Sequence, residues 1–253
     1  MVLLAKRWNT SINPVGMWGS EKLDGFRCDW NGTQLLSRNG NVIHAPKWFT
    51  RDLPKIALDG EIWAGRGGFE KVASAVKGSR ENDWRSVVYA VFDAPEYKDL
   101  FEGRIQEAKR VLENKTAHAL VIPFWMCLSR KQLEEKLNEI VNGGGEGIML
   151  RRARSRYENA RNNNDRSDTL LKVKKWFDAE AAVIGYEPSE ANPKLCGALK
   201  VITPDGRTFK VSGFNMVVAN NPPPIGTIIT YRYTLLSKEG IPRPAVYERI
   251  RDI

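Results

Sequence analysis

Cysteine is scarce in this chain. Its 253 residues contain three, Cys28, Cys127 and Cys196. They are odd in number, far apart and never in a Cys-x-x-Cys pair, so no disulfide framework or zinc site is expected. Long apolar runs are missing too. None approaches the ~18 residues that cross a bilayer, so no membrane partner is expected. The opening Met1-Val-Leu-Leu-Ala-Lys-Arg-Trp is too short and too soon charged for a secretory leader. A cytoplasmic location is the expectation, with a processed periplasmic form left open. Internal repeats and low-complexity tracts are absent, which argues against solenoids and disordered arrays.

What the chain does have is a globular composition with an excess of positive charge. Hydrophobic residues make up 42%, enough to bury a core in one large or two modest domains. The net charge is +9 and the isoelectric point is near 9.5. Residues 1–177 carry a balance of +8 and residues 178–253 only +1. A polyanionic partner held chiefly by the first two thirds of the chain is the natural reading.

One lysine stands out within this charge, in the stretch Glu21-Lys22-Leu23-Asp24-Gly25-Phe26-Arg27. A free ammonium attacks nothing; a lysine becomes a nucleophile when a cationic or desolvated surround disfavours its proton. Arg27 is near enough in sequence to supply that charge, Asp24 to hold the amine, and Gly25 to let backbone approach a ligand. Attack on a nucleoside triphosphate would leave a lysine phosphoramidate. The competing reading is a solvated Lys-Asp pair at a hairpin turn.

Alternating patterns predict strands at Met17–Glu21, Phe26–Trp30, Gln34–Arg38, Ile56–Trp63, Val87–Phe92, Gly147–Arg151 and Leu170–Val173, with Asn31-Gly32 as a hairpin turn. Helical spacing covers Phe101–Leu112 and Ser129–Val141, the second capped by Ser129 and stopped by Gly143-Gly144-Gly145. The composition changes near Trp176. Five short strands follow, at Ala181–Tyr186, Ala198–Thr203, Thr208–Val211, Thr227–Tyr233 and Ala245–Ile250, which fit a small Greek-key barrel of the OB type. The expected fold class is α+β: a domain of antiparallel sheets and helices over residues 1–176, then an all-β domain over 177–253.

Five further stretches follow Lys22 in order: Ser37-Arg38-Asn39-Gly40, Leu58-Asp59-Gly60-Glu61, Tyr89-Ala-Val-Phe92-Asp93, Gly145-Glu146-Gly147-Ile148-Met149 and Leu170-Leu171-Lys172-Val173-Lys174. Their order and spacing resemble the covalent nucleotidyltransferases, the superfamily of ATP-dependent DNA ligases, RNA ligases and capping enzymes. Trp18-Gly-Ser-Glu-Lys-Leu-Asp-Gly, Ala45-Pro-Lys-Trp-Phe-Thr, Gly143-Gly-Gly-Glu-Gly-Ile-Met-Leu, Arg166-Ser-Asp-Thr-Leu-Leu-Lys and Pro222-Pro-Pro-Ile-Gly-Thr are similar to the minimal Lig E-type DNA ligases, over nearly the whole chain.

The resemblance implies an adenylation domain followed by an OB-fold domain, ATP as co-substrate with AMP carried on Lys22, Mg2+ or Mn2+, and nicked double-stranded DNA as partner of a monomer. Lys22, Asp24, Arg27, Lys172 and Lys174 would be catalytic. Glu21, Arg38, Glu61, Phe92, Glu146 and Arg166 would join Lys22, Arg27 and the two later lysines in holding the nucleotide. In that scheme Phe92 stacks on adenine, Lys172 and Lys174 neutralise the α-phosphate, Glu61 binds the ribose hydroxyls or a metal-bound water, and Glu146 helps hold the metal. Pro242-Arg243-Pro244-Ala245-Val246-Tyr247-Glu248-Arg249-Ile250-Arg251 is similar to the motif that grips pyrophosphate, with Arg243 and Arg251 as its cations.

The chain departs from the pattern at Tyr157–Arg166, where the link is longer, so that either Arg161 or Arg166 fills the arginine position. With about 20 residues before Lys22, no separate N-terminal DNA-binding domain is expected. The expected activity is ATP-dependent sealing of 5′-phosphate/3′-hydroxyl nicks. RNA ligation, cap guanylyl transfer, or an inactive nucleic-acid-binding relative are the alternatives.

Overall fold

A computed structural model describes residues 2–78, 80–162, 164–237 and 239–251. Two compact units divide the chain, Met1–Lys174 and Lys175–Ile253.

The first unit is built on two sheets. One contains β1 (Ala5–Arg7), β2 (Met17–Glu21), β9 (Trp125–Met126), β10 (Ile148–Arg152) and β11 (Ser167–Val173), in the order β1-β11-β10-β2-β9. The other contains β3 (Phe26–Trp30), β4 (Leu35–Ser37), β5 (Val42–Ile43), β6 (Leu58–Trp63), β7 (Val88–Asp93) and β8 (Ala119–Val121), in the order β5-β4-β3-β6-β7-β8. Pairing is antiparallel except for β1–β11 and β7–β8.

Alternation along β10 and β11 sends Ile148, Leu150, Leu171 and Val173 to one face. There they form a core with Leu133 and Ile140 of α4 (Arg130–Asn142). The Ser129 hydroxyl accepts the Gln132 N–H at 3.0 Å and caps that helix, and Gly143 ends it. The second sheet packs Cys28, Leu58, Ile62 and Tyr89 against Val72 and Ala75 of α2 (Phe69–Lys77) and Ala108 and Leu112 of α3 (Phe101–Leu112). The Tyr89 hydroxyl donates to the Leu58 carbonyl at 2.7 Å, which satisfies a buried phenol. A third, smaller cluster gathers Leu23, Ala90 and Ile122 with half-buried Phe92 and Phe124.

The second unit is an antiparallel sheet of β12 (Phe177–Pro188), β13 (Cys196–Ile202), β14 (Thr208–Val211), β15 (Ile228–Tyr233) and β18 (Val246–Ile250), in the order β14-β13-β12-β15-β18. A two-stranded ribbon of β16 (Leu235–Leu236) and β17 (Pro242–Arg243) accompanies it. Its core is Val183, Leu199, Val201, Val211, Ile229 and Tyr231. The five expected strands are all present, the first of them twice its expected length.

Several elements escape the sequence patterns. A two- or three-residue strand such as β1, β5, β8 or β9 shows no period, and α1 (Lys47–Thr50) is a single turn. Expected strand residue Arg38 lies in the turn after β4. The three cysteines are free thiols. Among the described residues, no helix is long and apolar enough to cross a membrane.

Candidate active site

Three adjacent strands make a floor. Register pairs Met149 of β10 with Ser20 of β2 and Lys172 of β11, and one step along pairs Arg151 with Trp18 and Leu170. Because side chains alternate, these two rows face away from the Leu133–Ile140 core. Above them lies a cavity of about 260 Å³ that Ser20, Met149, Arg151 and Lys172 line from this sheet. Arg27, Glu61 and Phe92 line it from the other sheet, with Phe101, Phe124 and Ile122 at its aromatic side. The site is therefore assembled from residues far apart in sequence.

Lys22 follows β2 directly. Its N–H donates to the Gly147 carbonyl at 2.8 Å, which fixes the backbone. Its ammonium pairs with one oxygen of the buried Glu146 carboxylate, whose other oxygen takes Lys174. Glu146 can sit there because its glycine neighbours permit close backbone approach. Gly147 has φ +148°, and a Cβ on it would lie 2.3 Å from the Val173 carbonyl oxygen. Lys172 stands on the cavity floor. Burial holds its pKa below the ordinary lysine value, and the charges of Arg166, Lys174 and Lys22 lower it further. Positive charge exceeds negative at this end, and an anionic ligand would relieve it.

Arg27 differs from expectation. Its Nε and Nη2 grip Asp59 at 2.7 and 2.6 Å, and Nη2 also donates to the Leu3 carbonyl at 3.2 Å. The Tyr157 hydroxyl donates to the same carboxylate at 2.6 Å. Burial disfavours the guanidinium charge, but Asp59 outweighs it and the pKa rises. Arg27 is thus a neutralised wall rather than the bare cation beside Lys22 that the sequence suggests. Its guanidinium lies 4.7 Å from the centre of the half-buried Phe92 ring, which lines the cavity. Asp24 sits half-buried in the loop between β2 and β3 and is not among the cavity-lining residues.

Glu61 accepts the Gly25 N–H at 2.9 Å. A Cβ on Gly25 would meet the Ile62 carbonyl oxygen at 2.3 Å, so the residue must be glycine for this approach. Burial pushes the Glu61 carboxyl up to about 7 against the pull of Lys22 and Arg27. As for a cation, no three His, Cys, Asp or Glu side chains gather among the described residues. Glu61 has one oxygen not used by Gly25, and Glu146 has both oxygens on lysines. This donor set fits a divalent ion that takes one or two carboxylates and completes its shell with phosphate and water, as Mg2+ does.

The remaining expected residues divide. Arg38 is exposed in its turn and lines the cavity. Arg166 lines it too, braced by a 2.9 Å bond to the Ala5 carbonyl, whereas Arg161 pairs with Asp165 at 2.9 Å and is not among the lining residues. Glu21 lines the cavity with its carboxylate held at both oxygens by Arg66, each at 2.8 Å. Arg243 and Arg251 belong to the second unit, where Arg251 pairs with Glu180.

Sequence reasoning did not find Arg66, Asp59, Tyr157 or the buried group around Asp93. That carboxylate accepts Arg104 Nε at 2.6 Å and Arg151 Nη2 at 3.0 Å. Arg104 is 1% exposed and Arg151 3%, so one acid holds two guanidiniums out of solvent. Among the described residues Arg151 Nε and Nη1 have no hydrogen-bond partner, and its guanidinium lies 5.0 Å from the Phe101 ring centre. The available signal was the position of Arg151, two residues after Met149 on the same strand face.

Comparison with known proteins accounts for both units. Residues 4–174 match the model of the ATP-dependent DNA ligase domain, and residues 192–251 that of the DNA ligase OB-like domain. A DNA ligase of Haemophilus influenzae is 35% identical over 240 residues, 93% of this chain and 87% of that protein. A solved structure from a study of Lig E DNA ligases superposes with a TM-score of 0.91 at 36% identity, covering 99% of this chain and 98% of the other. The adenylated Chlorella virus DNA ligase shares the fold, with a TM-score of 0.57 at 24% identity over 99% of this chain and 98% of its own. Both units and nearly the full length are covered by these matches, and the chain belongs to the ATP-dependent DNA ligase family.

Proposed function

We propose that this ligase seals nicks through AMP carried covalently on Lys22. The observation that carries the reading is the pairing of Lys22 with the buried Glu146 carboxylate, which Lys174 shares, beside a cavity that Lys22 and Lys172 line with their charge and Phe92, Phe101 and Phe124 with their rings. Triphosphate would lie over Lys172 and the base against Phe92. The Lys22 ammonium gives one proton to Glu146, which releases it to solvent; the resulting amine attacks the α-phosphorus and loses a second proton to water. A phosphoramidate bond forms, and the bond to pyrophosphate breaks. Lys172 and Lys174 match the growing charge. The AMP then passes to the 5′-phosphate of the nick, and the neighbouring 3′-hydroxyl displaces it to make the phosphodiester.

A divalent ion held by phosphate oxygens and Glu61 would offset phosphate charge. Glu146 would join it once Lys22 is no longer an ammonium. Arg38 and Arg166 are assigned to the ribose or the 5′-phosphate, Asp24 to orienting Lys22, and Arg243 and Arg251 to pyrophosphate. A monomer is expected to carry out all three steps.

The test is mass spectrometry of the protein incubated with magnesium and ATP, GTP or NAD, beside Lys22→Ala. An AMP adduct from ATP that is absent in the variant is expected. A GMP adduct would instead mean cap-type transfer, and no adduct from any nucleotide in folded protein would leave a nucleic-acid-binding relative. Sealing of nicked DNA but not nicked RNA then separates DNA from RNA ligation.

A further inference from the structure

A second hollow lies beside the nucleotide cavity, on the outer side of β11. It has a volume of about 600 Å³ against about 260 Å³, and Lys172 lines both. Its walls include Arg7, Trp8, Leu137, Lys172 and Lys174, and among the described residues no carboxylate lines it. The parallel pairing of β1 with β11 makes this arrangement, because it sets Arg7 opposite Lys172. The Trp8 N–H then donates to the Lys172 carbonyl at 3.0 Å.

The indole is fixed in turn. Its Nε1 donates to the Ile12 carbonyl at 3.2 Å, and the Arg130 guanidinium lies 5.9 Å from its ring centre. A strip of cations therefore runs from the nucleotide cavity through Lys172 and Lys174 to Arg7 and, past the indole, to Arg130. The Glu146 carboxylate that pairs with Lys174 is itself buried.

We propose that this groove binds backbone phosphates of the DNA strand next to the nick, with Arg7 as a phosphate ligand and the Trp8–Leu137 wall against sugar. A flexible polyanion suits it better than free pyrophosphate does. The groove is wide, its cations extend beyond one phosphate's reach, and half its wall is apolar, which pyrophosphate would not use. The proposal rests on the nick-sealing reading and adds the surface that places the strand.

Arg7 is exposed at a sheet edge, so Arg7→Ala tests the groove without removing core. The full-length variant is compared with wild type for AMP adduct formation, for affinity toward a nicked duplex across a salt series, and for sealing of a pre-adenylated nick. The expected result is an unchanged Michaelis constant for ATP in adduct formation. Duplex affinity should fall roughly 3–10-fold, and the log–log salt slope should be shallower by about one. Arg130→Ala should shift the same two DNA readouts by less. Wild-type affinity and slope in both variants would overturn the proposal. So would a raised Michaelis constant for ATP with unchanged DNA binding, which would assign the groove to pyrophosphate. Absence of any adduct in wild type would instead sink the covalent reading, whatever Arg7 does.

Discussion

Glu61 shows how one side chain's surroundings translate into a measurable pH dependence. Its carboxyl titrates near 7 when folded against 4.5 in an unfolded chain. Between those values the folded state holds the extra proton, so stability falls as pH rises through this window, and the whole cost is present above it. Glu61→Gln should therefore melt at a higher temperature than wild type at pH 8 and at the same temperature at pH 4. Adduct formation in wild type should climb through pH 7 as the carboxylate forms, and Glu61→Gln should lose that limb and be slower throughout. A melting difference that does not vary with pH would show that the carboxyl is not titrating in this range. The residue-level chemistry was only partly legible in sequence. Lys22, Glu146 and Lys174 announce themselves by order and glycine flanks. That Arg27 would be tied up by Asp59 could not be read, because their pairing depends on the register of β3 against β6.

At the scale of elements, the long strands and capped helices could be read because their periods repeat over five residues or more. β2, β3 and α3 have the bounds their patterns suggest. The shortest strands could not, since their conformation is imposed by partners. The element contact most exposed to test is the join of β7, α3 and β10 through Asp93, which accepts from two arginines at 1% and 3% exposure. Removing the acid leaves two buried cations together. Asp93→Ala should lower the unfolding free energy by about 3–5 kcal/mol, the usual effect of breaking a buried pair, read as a lower urea midpoint with an unchanged slope. Asp93→Asn, which keeps an acceptor, should lose less. Equal midpoints for wild type and Asp93→Ala would mean that the arginines find other partners.

For the whole molecule, charge is the property that reaches farthest. The first 177 residues carry +8 of the net +9, and the grooves beside Lys172 concentrate it. Affinity for a nicked duplex should drop on the order of 10–1000-fold between 50 and 200 mM salt as counterions compete, measured by fluorescence anisotropy. A flat response would mean that contacts other than phosphate dominate. Adduct formation from ATP should respond less to salt, since Lys22 and Lys172 line a partly enclosed cavity where screening is weaker.

The pairing of β1 with β11 has a consequence for how the protein is made. Residues 5–7 leave the ribosome well before their partners, residues 167–172. Leu3 is likewise bound through its N–H to the Tyr157 hydroxyl and through its carbonyl to Arg27. β1 must therefore wait for β11 while some 160 residues are added, and a loop of that length has to close before the contact forms. The phosphate-facing wall is thus one of the last parts of the first unit to come together, and the nascent chain holds no finished nucleotide site until its adenylation domain has been translated almost to the end.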